Sequence, residues 1–247
     1  ISLPNALHHP WTMRSLAAGK HVLCEKPYTR HPAEVDEAFD FADRAGLVLS
    51  EAFMWRHHPQ ADRLAGLVPE LGALQAIRSS FSYVIADRPD VRLAADLDGG
   101  ALMDVGCYCL SGARLLAGEE PDLVYGSATT GPSGVDLRFD GILHFPSGVV
   151  ATFSTGFTAP HRSLEAIGSA GSASLVDPWH ADPAIVVHDG IETALEPADA
   201  YQLELDDVSA AIRGRTTVRL GRADALGQAR TIEALYRSAA SGLPVRL

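Results

Sequence analysis

Lysine is nearly absent from this chain, and so is cysteine. Of its 20 basic residues only Lys20 and Lys26 are lysine, against 31 acidic residues and a net charge of −11. Phosphate backbones and anionic membranes both select basic surfaces, so the balance argues against nucleic acid and membrane as partners. The three cysteines, Cys24, Cys107 and Cys109, are odd in number, and two stand one residue apart. That is no disulfide framework, and it points to a reducing cytoplasm. No apolar run approaches the ~20 residues of a membrane span, and no charged-then-apolar signal peptide is present. His-x-x-x-His and Cys-x-x-Cys spacings are missing, and the adjacent pairs His8–His9 and His57–His58 point apart, so no metal site is expected. A Gly-x-Ser-x-Gly hydrolase elbow and a Gly-x-Gly-x-x-Gly phosphate loop are missing too.

What is present reads as a globular α/β chain. Hydrophobic residues make up 47% of the 247, enough to fill one large core or two small ones. Residues 1–56 alternate strand, helix, strand, helix, strand, the pattern of a parallel sheet. Ile1 to Leu3 ends a strand. A helix with Pro10 in its first turn runs to Ala18 and stops at Gly19. Val22 to Cys24 is a short buried strand. His31-Pro32 opens a second helix, with Val35, Ala38, Phe39 and Ala42 at helical spacing and Gly46 at its end. Leu47 to Leu49 is the next strand, closing on the stretch from Glu51 to Arg56.

A helix from His57-His58-Pro59 to Val68 and a strand from Leu74 to Ile85 follow. The strand places Ile77, Ser79, Phe81 and Tyr83 on one face. Arg88 to Leu97 is polar and reads as a loop. Asp98-Gly99-Gly100 opens a helix reaching Leu116, which would put Asp104 and Tyr108, four apart, on one face. From Asp122 to Leu195 strand follows strand, with a hairpin turn at Pro146-Ser147-Gly148. This predicts a large, mainly antiparallel sheet with one covered face. Leu203–Ile212, with a stripe of Leu205, Val208 and Ile212, and Ala223–Ala240 are closing helices. The expected class is α/β (α+β): a truncated Rossmann-like parallel sheet in 1–56, then an open-faced sheet with flanking helices in 57–247. Alternating Phe, Leu and Thr predict an apolar open face and a homodimer formed through it.

The stretch from Gly19 to Pro27 organises the chemistry. In an open parallel sheet, ligands sit beyond the carboxyl ends of the strands. Glu25 and Lys26 occupy that position, and Pro27 limits the conformations open to Lys26. Lysine, unlike arginine, is a basic side chain whose pKa burial can tune for acid–base work. A phenol such as Tyr108 can exchange a proton with an alcohol if a neighbouring cation lowers its pKa. Taken alone, Lys26 reads as a surface lysine, Tyr108 as an amphipathic core tyrosine and Asp104 as a partly exposed helix carboxylate; it is their combination that points to function.

Ser2-Leu3-Pro4-Asn5 with His8, a helix, and then Ala18-Gly19-Lys20-His21-Val22-Leu23-Cys24-Glu25-Lys26-Pro27 resembles the glucose–fructose oxidoreductase/inositol dehydrogenase/rhizopine-catabolism (Gfo/Idh/MocA) family. The resemblance covers essentially the whole chain. Tyr108 suits the branch containing dimeric dihydrodiol dehydrogenase and NADP-linked xylose dehydrogenase. That family carries a glycine-loop half ahead of this point, which this sequence does not show. The resemblance implies hydride transfer between NADP(H), or NAD(H), and a hydroxyl-bearing carbon of a sugar or cyclic diol. Lys26 and Tyr108 would handle the proton, and Asp104 would position substrate. Pro4, Asn5, His8, Glu25, Lys26, Trp55 and Arg56 would meet the cofactor; Trp55 reads equally as core and Arg56 as an ion pair. The alternative is a truncated or degenerate member that binds a sugar or a protein partner without turnover.

Overall fold

A computed structural model of the protein describes residues 1–86 and 89–247. Helix α1 (His8–Ala17), strand β1 (Val22–Glu25), helix α2 (Pro32–Ala45) and strand β2 (Leu49–Ala52) form the first unit. β1 and β2 pair in parallel, with Cys24 opposite Glu51. Ile1 runs alongside β1, accepting from the Glu25 N–H at 2.9 Å and donating from its ammonium to the Leu23 carbonyl at 2.6 Å. It is not itself a strand residue. In α2, Val35, Ala38, Phe39 and Ala42 turn inward together, as their spacing dictates. The strand expected at Leu47 to Leu49 begins later, at Leu49. The Leu47 N–H is spent on the Ala42 carbonyl at 2.9 Å, closing the end of α2 around Gly46, whose φ is +65°.

The chain then passes through a 3-10 turn (Met54–His57), α3 (Pro59–Leu67) and a second 3-10 turn into β3 (Leu74–Ser82). Two short 3-10 turns, Val91–Leu93 and Ala95–Leu97, interrupt the expected loop; Arg88, where that loop was set to start, lies outside the described residues. A π-helical turn (Leu102–Gly106) leads into α4 (Cys107–Ala117). Strands β4 (Leu123–Thr130), β5 (Asp136–His144), β6 (Val150–Gly156), β7 (His161–Gly168), β8 (Ser172–Leu175), β9 (Ile185–His188) and β10 (Ile191–Ala194) follow. Then come α5 (Ala200–Ile212), α6 (Arg222–Ser241) and the two-residue β11 (Val245–Arg246).

These strands make one nine-stranded sheet in the order β10-β9-β8-β7-β3-β6-β5-β4-β11. Among the described residues only β3–β6 of this sheet pairs in parallel; its other ladders are antiparallel. One face carries Ile77, Phe81, Phe139, Leu143, Phe153 and Leu164, which join Leu110, Leu116, Ile232 and Leu235 of α4 and α6 in the main core. A smaller core gathers Leu16, Val22, Cys24, Val35, Phe39 and Leu49. Helix α6 serves both: Ala225 and Ala229 seal the small core, Ile232 and Leu235 the large one.

Two expectations are corrected here. The open face of the sheet is not an apolar Phe/Leu surface, because strand alternation sends those side chains under the helices. It carries instead Tyr125, Thr152 and charged groups such as Arg138, which donates to Asp140 at 2.9 Å. In α5 the stripe of Leu205, Val208 and Ile212 does not face inward as a unit. Leu205 and Ile212 are exposed, and the helix buries Ala200, Glu204 and Val208. No helix among the described residues is long and apolar enough to cross a membrane.

Candidate active site

A cleft of about 480 Å³ opens past the carboxyl end of β1. Pro4, Asn5, His8, Glu25, Lys26 and Asp104 all line it. The loop entering α2 carries Lys26, whose peptide bond to Pro27 is cis. The Lys26 ammonium, on a side chain only 14% exposed, donates to the Asp104 carbonyl at 2.6 Å and reaches Oδ1 of the same residue at 3.3 Å. It also lies over the ring of Tyr108, 4.9 Å from the centroid, a distance at which a cation is drawn to the ring face. Lys26, Asp104 and Tyr108 are therefore brought together, although Asp104 and Tyr108 do not share an α-helical turn. Leu102–Gly106 is π-helical, and the Cys107 N–H reaches back to the Leu102 carbonyl, five residues away.

Asp104 is the centre of the polar network. Besides Lys26 it accepts from the Tyr83 hydroxyl at 2.6 Å and pairs with Arg92 Nε at 3.2 Å. Burial alone would raise its pKa, but Lys26, the Tyr83 hydrogen bond and Arg92 together hold it below the usual carboxylate range. Burial opposes the charge of Lys26, yet the acidic groups of Tyr108 and Asp104 carry its pKa above that of a free lysine. The expectation that Lys26 would bring the Tyr108 phenol down meets a larger opposing effect. Burial raises that pKa, and Lys26 offsets it only in part. The ring is packed edge-on against Phe53 and Phe81 at 5.4 and 5.3 Å, with Trp179 at 5.8 Å.

The remaining predicted residues divide. Asn5 Nδ2 donates to the Asp98 carbonyl at 2.8 Å, so it ties the cleft's rim to the Gly-Gly loop. His8 is buried, with Nδ1 2.9 Å from the Pro27 carbonyl oxygen and Nε2 2.7 Å from that of Leu3. It straps the segment before α1 to the loop after Lys26, and burial lowers its pKa. Glu25 is half-buried at the cleft wall. Trp55 and Arg56 are not brought to the cleft. Trp55 is 1% exposed and stands edge-on to Trp179 at 5.2 Å; Arg56 reaches Ser111 Oγ at 3.2 Å and Asp224 at 3.5 Å. Among the described residues no three His, Cys, Asp or Glu side chains gather as metal ligands would.

Tyr83 and Arg92 escaped the sequence reading. Tyr83 continues the inward face of β3 past its end, so alternation marked its direction but not its target. Arg92 lies in a turn with no periodicity to follow.

Two family models match the chain. One, an oxidoreductase family with an NAD-binding Rossmann fold, matches residues 1–53, and the GFO/IDH/MocA C-terminal domain matches 69–174. The chain is similar to D-xylose 1-dehydrogenase (NADP(+)) 2 of Haloferax volcanii, 39% identical over all of this chain and 79% of that protein. It is 32% identical to trans-1,2-dihydrobenzene-1,2-diol dehydrogenase of Sus scrofa, over 76% of this chain and 57% of that one. Among solved structures it resembles a 3-ketoreductase from Actinomadura kijaniata in complex with NADP and TDP-benzene. The TM-score is 0.90 at 28% identity, covering 96% of this chain and 77% of the other. That ketoreductase has also been solved with one tyrosine changed to phenylalanine and with one lysine changed to alanine or glutamate.

Proposed function

From the premise that this chain belongs to the Gfo/Idh/MocA family of oxidoreductases, we propose that it moves a hydride between NADP(H) and a hydroxyl-bearing carbon of a sugar or cyclic diol. The observation that carries the reading is the Lys26 ammonium, held between Asp104 and the face of Tyr108 where a cleft opens past a parallel strand. NADP, when bound, accepts or supplies the hydride. The cleft suits its nicotinamide–ribose end: Glu25 and Asn5 offer half-buried polar groups for hydroxyls, and Pro4 and His8 form the floor. Trp55, which backs Trp179 behind the Tyr108 ring, and Arg56, held by Ser111 and Asp224, stand outside the cleft and take no cofactor contact in this reading. We assign 1–56 to the nucleotide-binding part and 57–247 to substrate binding and to a homodimer formed through the open sheet face. Three free, buried thiols suit a reducing cytoplasm.

The protein's part is proton transfer and orientation. In carbonyl reduction the Tyr108 hydroxyl gives its proton to the oxygen on which negative charge develops. In alcohol oxidation the phenolate takes the hydroxyl proton as the carbon loses its hydride. Lys26 stabilises the negative oxygen in both directions, and Asp104 holds Lys26 and the substrate hydroxyls in register. Because burial keeps the phenol protonated at neutral pH, Tyr108 is ready to donate, and oxidation has to wait for its deprotonation. Oxidation rates should therefore still be climbing at about pH 10, whereas reduction should stay flat over the same range.

A fluorescence titration with NADPH, followed by a panel of aldoses and cyclic diols, tests the proposal. Tyr108→Phe and Lys26→Ala should each lower kcat at least ~100-fold, the range general acid–base groups supply. Saturable NADPH binding with no turnover across the panel would favour the non-catalytic alternative. Wild-type kcat in either variant would remove that residue's role.

A further inference from the structure

We propose that Asp136, remote in sequence from the cleft, is a positioning residue for the reaction: its carboxylate fixes the turn that presents Asp104 and Tyr108 to Lys26. The inference rests on reading those three residues as the reacting end.

Asp136 opens strand β5 and is 5% exposed. Its Oδ2 accepts the Leu102 N–H at 2.7 Å, and its Oδ1 accepts the Tyr236 hydroxyl at 2.9 Å from α6. Leu102 is the first residue of the π-helical turn. The opening N–H groups of a helix have no partner within it, and an anion there is favoured by the aligned peptide dipoles. Here a carboxylate from another element does that work, 34 residues away in the chain.

The fit is enforced from the other side. Gly100 has φ +124°, and a Cβ there would overlap the Asp136 Oδ1 and lie 3.2 Å from the Tyr236 hydroxyl. The carboxylate occupies the room a side chain at position 100 would need. The Gly100 carbonyl in turn accepts the Asp104 N–H at 2.9 Å. One bond from Asp136 thus fixes Leu102, and the glycine it packs against fixes Asp104, whose carbonyl receives Lys26. Arg30 lies over the Tyr236 ring at 5.3 Å and pairs with Asp98 at 2.9 Å, so the charge of this neighbouring cation is met without Asp136. Burial pushes its pKa up to about 6, with the Leu102 N–H and Tyr236 hydroxyl opposing.

The chain's two lysines, Lys20 and Lys26, allow a readout that needs no substrate. With 13C-lysine incorporated, the ε-carbon of Lys26 reports the site and that of Lys20 the exposed helix end, each assigned by its loss in the corresponding Lys→Arg variant. Asp136→Ala should move the Lys26 signal and leave that of Lys20. On the substrate selected by the panel it should lower kcat about 30-fold or more, with KM and the NADPH dissociation constant within about 3-fold, since small misplacements of reacting groups are costly. Asp136→Asn keeps an oxygen for the Leu102 N–H and should recover kcat to within about 5-fold of wild type. Tyr236→Phe, which leaves the carboxylate in place, serves if Asp136→Ala does not fold; it should lower kcat about 3-fold and shift Lys26 part of the way.

A Lys26 signal and kcat unmoved in Asp136→Ala, or in Tyr236→Phe where that variant stands in for it, would overturn the inference. So would a loss of kcat matched by lost NADPH binding and movement of both lysine signals, which marks a role in folding alone. Full turnover in Lys26→Ala and Tyr108→Phe would withdraw the site reading, and this inference with it. Wild-type behaviour of the Asp136 variants beside inactive Lys26 and Tyr108 variants would remove this inference only.

Discussion

Glu51, at the end of β2, is 2% exposed. Its Oε1 accepts the Tyr28 N–H at 2.8 Å, and its Oε2 has no hydrogen-bond partner among the described residues. Burial first, and the charge of Asp224 second, push its pKa up to about 8 from an ordinary 4.5. Between those values the folded protein holds a proton that the unfolded chain has released. Its contribution is therefore full below pH 4.5 and is lost as pH rises toward 8. Glu51→Gln cannot ionise, so denaturant titrations at pH 5 and pH 8 should show wild type losing about 2 kcal/mol or more relative to the variant. Parallel curves for the two proteins would mean that Glu51 is charged in the fold. At this scale the sequence exposed Lys26 through its rarity and Asp104 and Tyr108 through the Gly-Gly entry. It hid Tyr83, Arg92 and Asp136, because each reaches the site from a segment whose own pattern describes only a strand or a turn.

Elements were legible where one periodicity governed them. In α2 the inward side chains follow the helical repeat, and in β5 and β6 Phe139, Leu143, Ala151 and Phe153 follow the strand repeat. Legibility ended where hydrogen bonds rather than burial set the element. β2 starts late because Leu47 closes α2. The π-helical turn depends on an acceptor from another strand. Exposed along its whole length, β10 offered no alternation to read. In α5, Glu204 takes the inward position where Leu205 was expected. One contact between elements is tight enough to test alone. A Cβ on Gly126 of β4 would come within 2.8 Å of the Leu235 carbonyl oxygen of α6, and 2.7 Å from the Phe139 ring. Backbone cannot swing aside as a side chain can, so Gly126→Ala should destabilise the protein by about 2–3 kcal/mol in urea. An unchanged midpoint would show that α6 can move off the sheet at little cost.

For the whole molecule, the proposed homodimer is the first quantity to measure. Tyr125 is 38% exposed on the open sheet face. Sedimentation velocity should find a particle of twice the chain mass, and Tyr125→Lys should shift it toward monomer, since a desolvated charge at an interface is costly. A wild-type monomer would retire the dimer. Helix α6 adds a consequence of its own. It closes the small core that holds Cys24 and the large core that holds Cys107 and Cys109, and all three thiols are fully buried. An alkylating reagent reaches either group only when its core opens, so each sulfur is a stopwatch for one part of the molecule. Two cores that opened independently would be alkylated at two rates. With a single helix clamped across both, Cys24 and the Cys107–Cys109 pair should be trapped on one common clock.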